Sequence, residues 1–239
     1  MRHLAAVLLS LGLAGSAYAQ CACPQSDMAY ETDTRSVSPS SLLVCTSAGC
    51  GNLNVQVAHR IITPASITAG VPFADDPHFL AVEANNNSGF PEPGTVSLQT
   101  SAGAMLTVTP TQPKFFYSPC EKSLVGPPGL PPASVLPFLC SKLNTGVSFK
   151  VTVNESDQFG NNDPCVLDKV AYVCQTAQVG GLPPPSTSWL VCFSLNKKAS
   201  SLVDPAVKTF VDSDFFGLFT FNSGAIHTPD EFCLQATQL

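Results

Sequence analysis

Three glycines, Gly103, Gly160 and Gly217, stand 57 and 57 residues apart, and similar residues surround each of them. A period this regular marks units that bury their apolar faces against one another, which narrows the folds open to the chain. Proline-rich separators at 126–132 (GPPGLPP) and 180–185 (GGLPPP) cut the chain between the units. Each unit opens on a short apolar run: His78-Phe79-Leu80-Ala81, Pro137-Phe138-Leu139-Cys140 and Trp189-Leu190-Val191-Cys192. Each then runs to its glycine, at 96–103, 151–160 (VTVNESDQFG) and 207–217 (VKTFVDSDFFG), and finishes in a further extended run at 114–117, 169–174 and 229–233. The unit bounds read as 77–125, 137–179 and 188–239, the first being a degenerate copy without the DxFG turn or the cysteines.

Within a unit, Val147, Phe149, Val151 and Val153 alternate as in a strand with one buried face. Asp157-Gln158-Phe159-Gly160 then supplies turn chemistry, because the Asp side chain accepts backbone N–H bonds and Gly tolerates positive φ. Asp214-Phe215-Phe216-Gly217 reads the same way, and Phe159 and Phe216 are placed to fold back over the core. No window of twelve residues carries a helical apolar stripe free of Pro and Gly. The expected fold is therefore all-β, in tandem disulfide-stapled units of about four short strands that build sandwich- or barrel-like domains. Three units of four strands could also close as a β-trefoil.

The chain has 10 cysteines. They are Cys21, Cys23, Cys45, Cys50, Cys120, Cys140, Cys165, Cys174, Cys192 and Cys233, an even number that implies five bridges in an oxidising compartment. Counting fourteen residues on from the unit glycine reaches Tyr117 and Cys174, with Cys233 close to the matching place in the third unit; the opening positions are Ala81, Cys140 and Cys192. Unit one has neither cysteine and the other units have both, as bonded pairs would. That favours Cys140 with Cys174, Cys192 with Cys233, and Cys120 with Cys165. The rival set runs between units, Cys120 to Cys140 and Cys174 to Cys192. Cys21 and Cys23 are expected to reach Cys45 or Cys50, stapling an N-terminal segment over 20–76 that carries a strand-like run from Leu53 to Ile62.

Arg2 and His3, the apolar run 4–14 and Ala17-Tyr18-Ala19 form a secretory signal peptide over 1–19, cleaved after Ala19. The apolar run is too short for a span, which takes roughly 18 to 20 residues. The mature chain keeps 10 basic against 17 acidic residues, and its longest basic run is Lys197-Lys198. Nucleic-acid binding is excluded on that ground. The order of an apolar strand ending in Cys, DQFG, and a strand ending in Cys resembles a family of uncharacterised exported bacterial β-repeat proteins with units of the form HFLCY, VxLxDQFG and LC. Phe138-Leu139-Cys140, Asp157-Gln158-Phe159-Gly160 and Val173-Cys174 match best. The resemblance implies architecture and export, and no activity.

No serine-hydrolase elbow, zinc-protease motif or papain-like context occurs, and the mature histidines are His59, His78 and His227. The function expected is a non-catalytic secreted or periplasmic module that binds an extracellular ligand or surface, without cofactor or membrane span. The alternative is a hydrolase whose site joins Asp157, Asp214 and a histidine across units. Asp157, Asn161, Asn162 and Asp163 gather oxygens that calcium could use, against the plainer reading of a solvated hairpin loop. Trp189 is either core or a sugar platform.

Overall fold

The computed structural model describes residues 26–66, 78–123, 128–196, 210–221 and 227–239, apart from positions 39, 86–88, 130, 132, 155, 158–159 and 162–163. Every regular element among them is a β-strand. The N-terminal segment forms β1 (Ser26–Ser36), β2 (Ser41–Thr46) and β3 (Gly49–Ser66). Unit one forms β4 (His78–Ala84), β5 (Val96–Thr100), β6 (Met105–Val108) and β7 (Pro110–Ser123). Unit two forms β8 (Phe138–Leu143), β9 (Ser148–Val153), β10 (Ser156–Asp157), β11 (Gly160–Asn161), β12 (Cys165–Thr176) and β13 (Gln178–Val179). Unit three forms β14 (Trp189–Leu195), β15 (Phe210–Asp214), β16 (Gly217–Phe221) and β17 (Pro229–Gln238). No helix among the described residues is long and apolar enough to cross a membrane.

Eight of these strands pair antiparallel in a closed ring, in the order β1, β3, β4, β7, β8, β12, β14, β17 and back to β1. Each stretch contributes its first and last strands to the ring and sends a hairpin out between them. The register recurs in all four stretches: Ala29 faces Ile62, Ala81 faces Tyr117, Cys140 faces Cys174, and Cys192 faces Cys233. The N-terminal segment is thus an equal member of the ring. Four such members do not make the threefold closure of a trefoil.

The hairpins also share one turn. Thr46 faces Gly49, Asp157 faces Gly160, and Asp214 faces Gly217. In β5–β6 the Gly103 N–H donates to the Thr100 carbonyl at 2.8 Å. The polar side chain opening the turn accepts the backbone N–H two residues on, as an Asx- or ST-turn requires, at Thr46 (from Ala48, 3.2 Å) and at Asp214 (from Phe216, 2.7 Å), whereas Thr100 accepts from Ala104, four residues on, at 3.1 Å. Gly49, Gly103 and Gly217 all have positive φ, at 139°, 83° and 124°, where a Cβ would be strained. Phe216 turns back edge-on to Phe116 with centroids 6.2 Å apart. Gln158 and Phe159 lie outside the described residues.

Each hairpin pairs with the last strand, or its continuation, of the stretch on the opposite side of the ring. Asp157 faces Ala65 and Asp214 faces Cys120. Thr100 faces Ala236, and Cys45, just before Thr46, faces Gln178 of β13. This crosswise pairing interlocks the four stretches in a single sheet system. The strand at Leu53–Ile62 is present within β3, with Leu53, Val55 and Ile61 buried. Val151, by contrast, is 38% exposed, although Phe149 and Val153 on the same face of β9 pack against the core.

Alternate residues of the ring strands point to two cores. Ala29, Ile62, Phe79, Ala81, Tyr117, Phe138 and Leu190 pack with the two bridges in the smaller one, inside the ring. Residues of the other parity, such as Met28, Leu80, Phe116 and Phe232, join the hairpins in the larger. Cys140 is bonded to Cys174 and Cys192 to Cys233, each bridge tying the first ring strand of its unit to the last. The expected staple of Cys21 and Cys23 onto Cys45 and Cys50 is corrected: Cys45 bonds Cys50, because the Thr46–Gly49 turn sets them directly opposite. No bridge joins Cys120 to Cys165. Cys120 lies on β7 opposite His78 and Asp214, whereas Cys165 lies on β12 opposite Val153. Cys21, Cys23 and the signal peptide fall outside the described residues.

Candidate functional site

Two residues before the shared register position, the last strands of the four stretches carry Arg60, Phe115, Tyr172 and Glu231. Strand alternation points all four into the ring, toward one end of it. There they meet across its full width. One Arg60 guanidinium nitrogen bonds Glu231, and another lies 2.8 Å from Asp230 and 3.6 Å from Glu31. The guanidinium also sits over the Phe115 ring, 4.9 Å from its centroid. Lys114 crosses from β7 to within 3.6 Å of Glu231, with its ammonium 4.7 Å and 4.6 Å from the Phe115 and Tyr172 centroids. The Tyr172 hydroxyl donates to Glu231 and lies 2.5 Å from the Tyr117 hydroxyl.

Burial sets the protonation states here. It pushes the Tyr117 and Tyr172 hydroxyls well above their ordinary range, and the Glu231 charge adds to that, so both stay neutral donors. It also lowers Lys114, with the Arg60 charge acting the same way against Glu231. For Arg60 burial works downward, but the Glu231 and Asp230 carboxylates outweigh it and raise the net value. His59, with its ring 5.7 Å from Phe115, is lowered by burial and then by Arg60. Arg60 and Glu231 are 8% and 5% exposed, whereas the Glu31 side chain is 47% exposed. Together with the partly exposed Lys114 and the exposed Glu83, Glu31 gives this end of the ring a charged rim. The aromatic rings are buried and already faced by Arg60 and Lys114, so what this end of the ring presents outward is its charged rim.

The residues singled out from sequence lie elsewhere. Asp157 is buried and accepts a hydrogen bond from the Tyr30 hydroxyl. Asp214 is buried beside Ser118, and burial raises its pKa to about 6 against the hydrogen bonds it accepts. Asp214 shares a cross-strand row with Cys120 and His78. The same row exists as Asp157, Ala65 and Ser26, and as Thr100, Ala236 and Trp189. Its chemistry changes from unit to unit while its geometry does not, which marks these positions as turn and packing positions. Trp189 is core at 2% exposure. Asn162 and Asp163 of the calcium reading lie outside the described residues, and no group of three or more metal-ligating side chains occurs among the described ones. No protein-family model, no curated protein and no solved structure matches this chain.

Arg60, Lys114, Phe115, Tyr172 and Glu231 were not singled out from sequence. A signal existed: aligning the last strands sets Arg60 and Glu231, of opposite charge, at equivalent places.

Proposed function

We propose that the protein is an exported, non-catalytic β module that meets an extracellular ligand or surface through the charged, aromatic end of its ring. The observation that carries this reading is the position of Asp157 and Asp214. The two carboxylates on which a hydrolase would depend open the same buried hairpin turn that Thr46 and Thr100 open elsewhere. Threonine cannot serve as an acid or base there, and Thr46 and Asp214 each accept the backbone N–H two residues on, which supports a turn-capping role for the position. Three described disulfides, a signal-like first 19 residues and the resemblance to exported β-repeat proteins support export.

The test uses mature protein, residues 20–239, on an immobilised glycan array, alongside a Lys114→Ala, Glu31→Ala double variant. The expected result is retention by at least one glycan class and weaker retention of the variant. Equal retention of both proteins removes the ring end as the site. Turnover of ester, peptide or glycoside substrates that disappears in Asp214→Asn replaces this reading with the hydrolase.

A further inference from the structure

β12 and β14 are neighbours in the ring, and Gln175 faces Trp189 directly. A connection between such strands needs about two to five residues, yet the chain uses all of 176–188 for this one. Both of its ends are pinned. Val179 pairs with Val44 of β2, and the Gly180 N–H donates to the Leu43 carbonyl at 3.0 Å. On the return, the Thr176 hydroxyl donates to the Ser186 carbonyl at 2.7 Å and accepts the Ser188 N–H at 3.1 Å. Between the pins stands Leu182-Pro183-Pro184-Pro185. Each proline ring fixes its own φ, and each residue that precedes a proline is driven out of the helical region, so the run is held in the extended polyproline II form. That form has about three residues per turn. Burial follows the same period: Gly181 and Pro184 are half-buried, while Leu182, Pro183, Pro185 and Ser186 are exposed.

We propose that this loop is a docking ligand for a partner protein, and that its Leu182 and Pro185 edge seats in an aromatic-lined groove of the kind that reads polyproline II segments. The two residues are three apart and so share one outward edge of the helix, roughly 9 Å from one to the other. Leu182 is 66% exposed. A connector that only stiffened the crossing would need the prolines and would have no use for a leucine held in water. Leu43 of β2, 45% exposed and 3.2 Å from where a Cβ on Gly181 would stand, extends the apolar surface at the base of the loop. Charge narrows the partner further. No Asp, Glu, Lys or Arg occurs over 170–196 or over 36–58, so a groove that relies on a basic residue beside the prolines finds none here. The prolines have no N–H and offer only carbonyls, which the indole N–H of Trp or the hydroxyl of Tyr in such a groove can meet. Because both ends are pinned, docking has little left to order. The loop follows Thr176, on the far side of Cys174 from Tyr172, and therefore lies at the opposite end of the ring from the Arg60 cluster; the failure of one site leaves the other standing.

The experiment follows isotope-labelled mature protein by NMR as two unlabelled probes are added, a WW domain selective for leucine-bearing proline sequences and an EVH1 domain, each to about 1 mM. With at least one probe, the Leu182 methyl signals, the Pro183, Pro184 and Pro185 ring signals and the Gly180 and Leu43 amides should shift and saturate. Leu182→Ser removes the apolar anchor at an exposed position and should weaken binding by about tenfold or more. Leu239→Ser, which replaces another leucine exposed by 66%, should bind as the wild type does. The proposal is overturned if neither probe shifts the signals of 180–188, including the case in which shifts fall only on the other Leu-Pro-Pro stretch at 130–132. It is overturned equally if Leu239→Ser weakens binding as much as Leu182→Ser, since that marks general apolar adhesion.

Discussion

The ring is built from two pairs of stretches that solve the same geometric problem by different chemistry. In units two and three the shared register position is a disulfide and the hairpin turn opens on aspartate. In the N-terminal segment and unit one it is Ala29 against Ile62 and Ala81 against Tyr117, and the turn opens on threonine. The backbone register is unchanged between the halves. Closure of the ring therefore depends on strand pairing and crosswise hairpins, and the bridges add stability to a register that packing alone already sets in the other half. Tyr117 illustrates the substitution: it fills the place of a cysteine and reaches the Tyr172 hydroxyl on the next unit's last strand.

The halves are tied where Arg60 of the N-terminal segment meets Glu231 of unit three. Removing one partner of a buried ion pair leaves the other charge without compensation, which is worse than never having buried the pair. Arg60→Ala should lower unfolding free energy by about 3–5 kcal/mol in urea titration. This is the largest effect expected. A loss below about 1 kcal/mol would mean that Lys114, 3.6 Å from Glu231, holds the halves together by itself.

Breaking a bridge comes next in size. Replacing Cys192 and Cys233 together by Ala should lower stability by roughly 2–4 kcal/mol, chiefly by freeing the unfolded chain, and either single replacement should be at least as harmful. The melting temperature measures it. If the double variant melts with the wild type, unit three needs its ring bridge no more than the N-terminal segment and unit one, whose ring positions carry none. Thiol labelling of denatured, unreduced mature protein should find no free cysteine. With six cysteines paired in the structure and Cys120 not bonded to Cys165, Cys21 and Cys23 are then expected on those two, and peptide mapping would sharpen where the N-terminus is held.

Much of the stapled half was legible in the sequence, and the reason is chemical. Cysteine and DxFG are rare enough to align by eye, whereas in the other half the alternation in Leu53 to Ile62 marked a strand but not its place in the ring. The same turn written Thr46-Ser47-Ala48-Gly49 or Thr100-Ser101-Ala102-Gly103 is ordinary polar sequence, so the N-terminal member of the ring passed for a stapled leader. Crosswise pairing was illegible for a different reason. Which hairpin lies beside which strand is fixed by contacts between residues such as Asp214 and Cys120 that are far apart in the chain, and no local pattern encodes them. The Arg60 cluster shares that difficulty, since its members come from four different strands.

The comparison can be sharpened by moving the staple. Ala29 and Ile62 face each other as Cys140 and Cys174 do, so Ala29→Cys with Ile62→Cys should form a bridge between the ring strands of the other half, whose Cys45–Cys50 bridge lies in a hairpin. Loop closure adds roughly 2–4 kcal/mol. Loss of the Ile62 side chain from a core with 0% exposure removes part of that, leaving a net gain of about 1 kcal/mol or more in denaturant unfolding. Failure of the two thiols to bond in the folded protein would show that matching register hides a difference in strand geometry between the halves.

The smallest effect tests the turns. Asp214 is buried, its pKa is raised to about 6, and its carboxylate caps the Phe216 N–H. A carboxyl group with a raised folded-state pKa favours the folded protein at low pH and loses that advantage as pH climbs from the ordinary aspartate value toward about 6, with no further change above it. Asp214→Thr keeps a side-chain oxygen for the cap, in the manner of Thr46, and removes the titration. Its stability near neutral pH should lie within about 1 kcal/mol of the wild type, while the decline between about pH 4 and about pH 6 should flatten. Urea midpoints across that window measure both. If the variant keeps the wild-type decline, the pH dependence arises at another group. If instead it unfolds at neutral pH, the aspartate turns of the stapled half do something the threonine turns cannot, and the four hairpins are equivalent in backbone only.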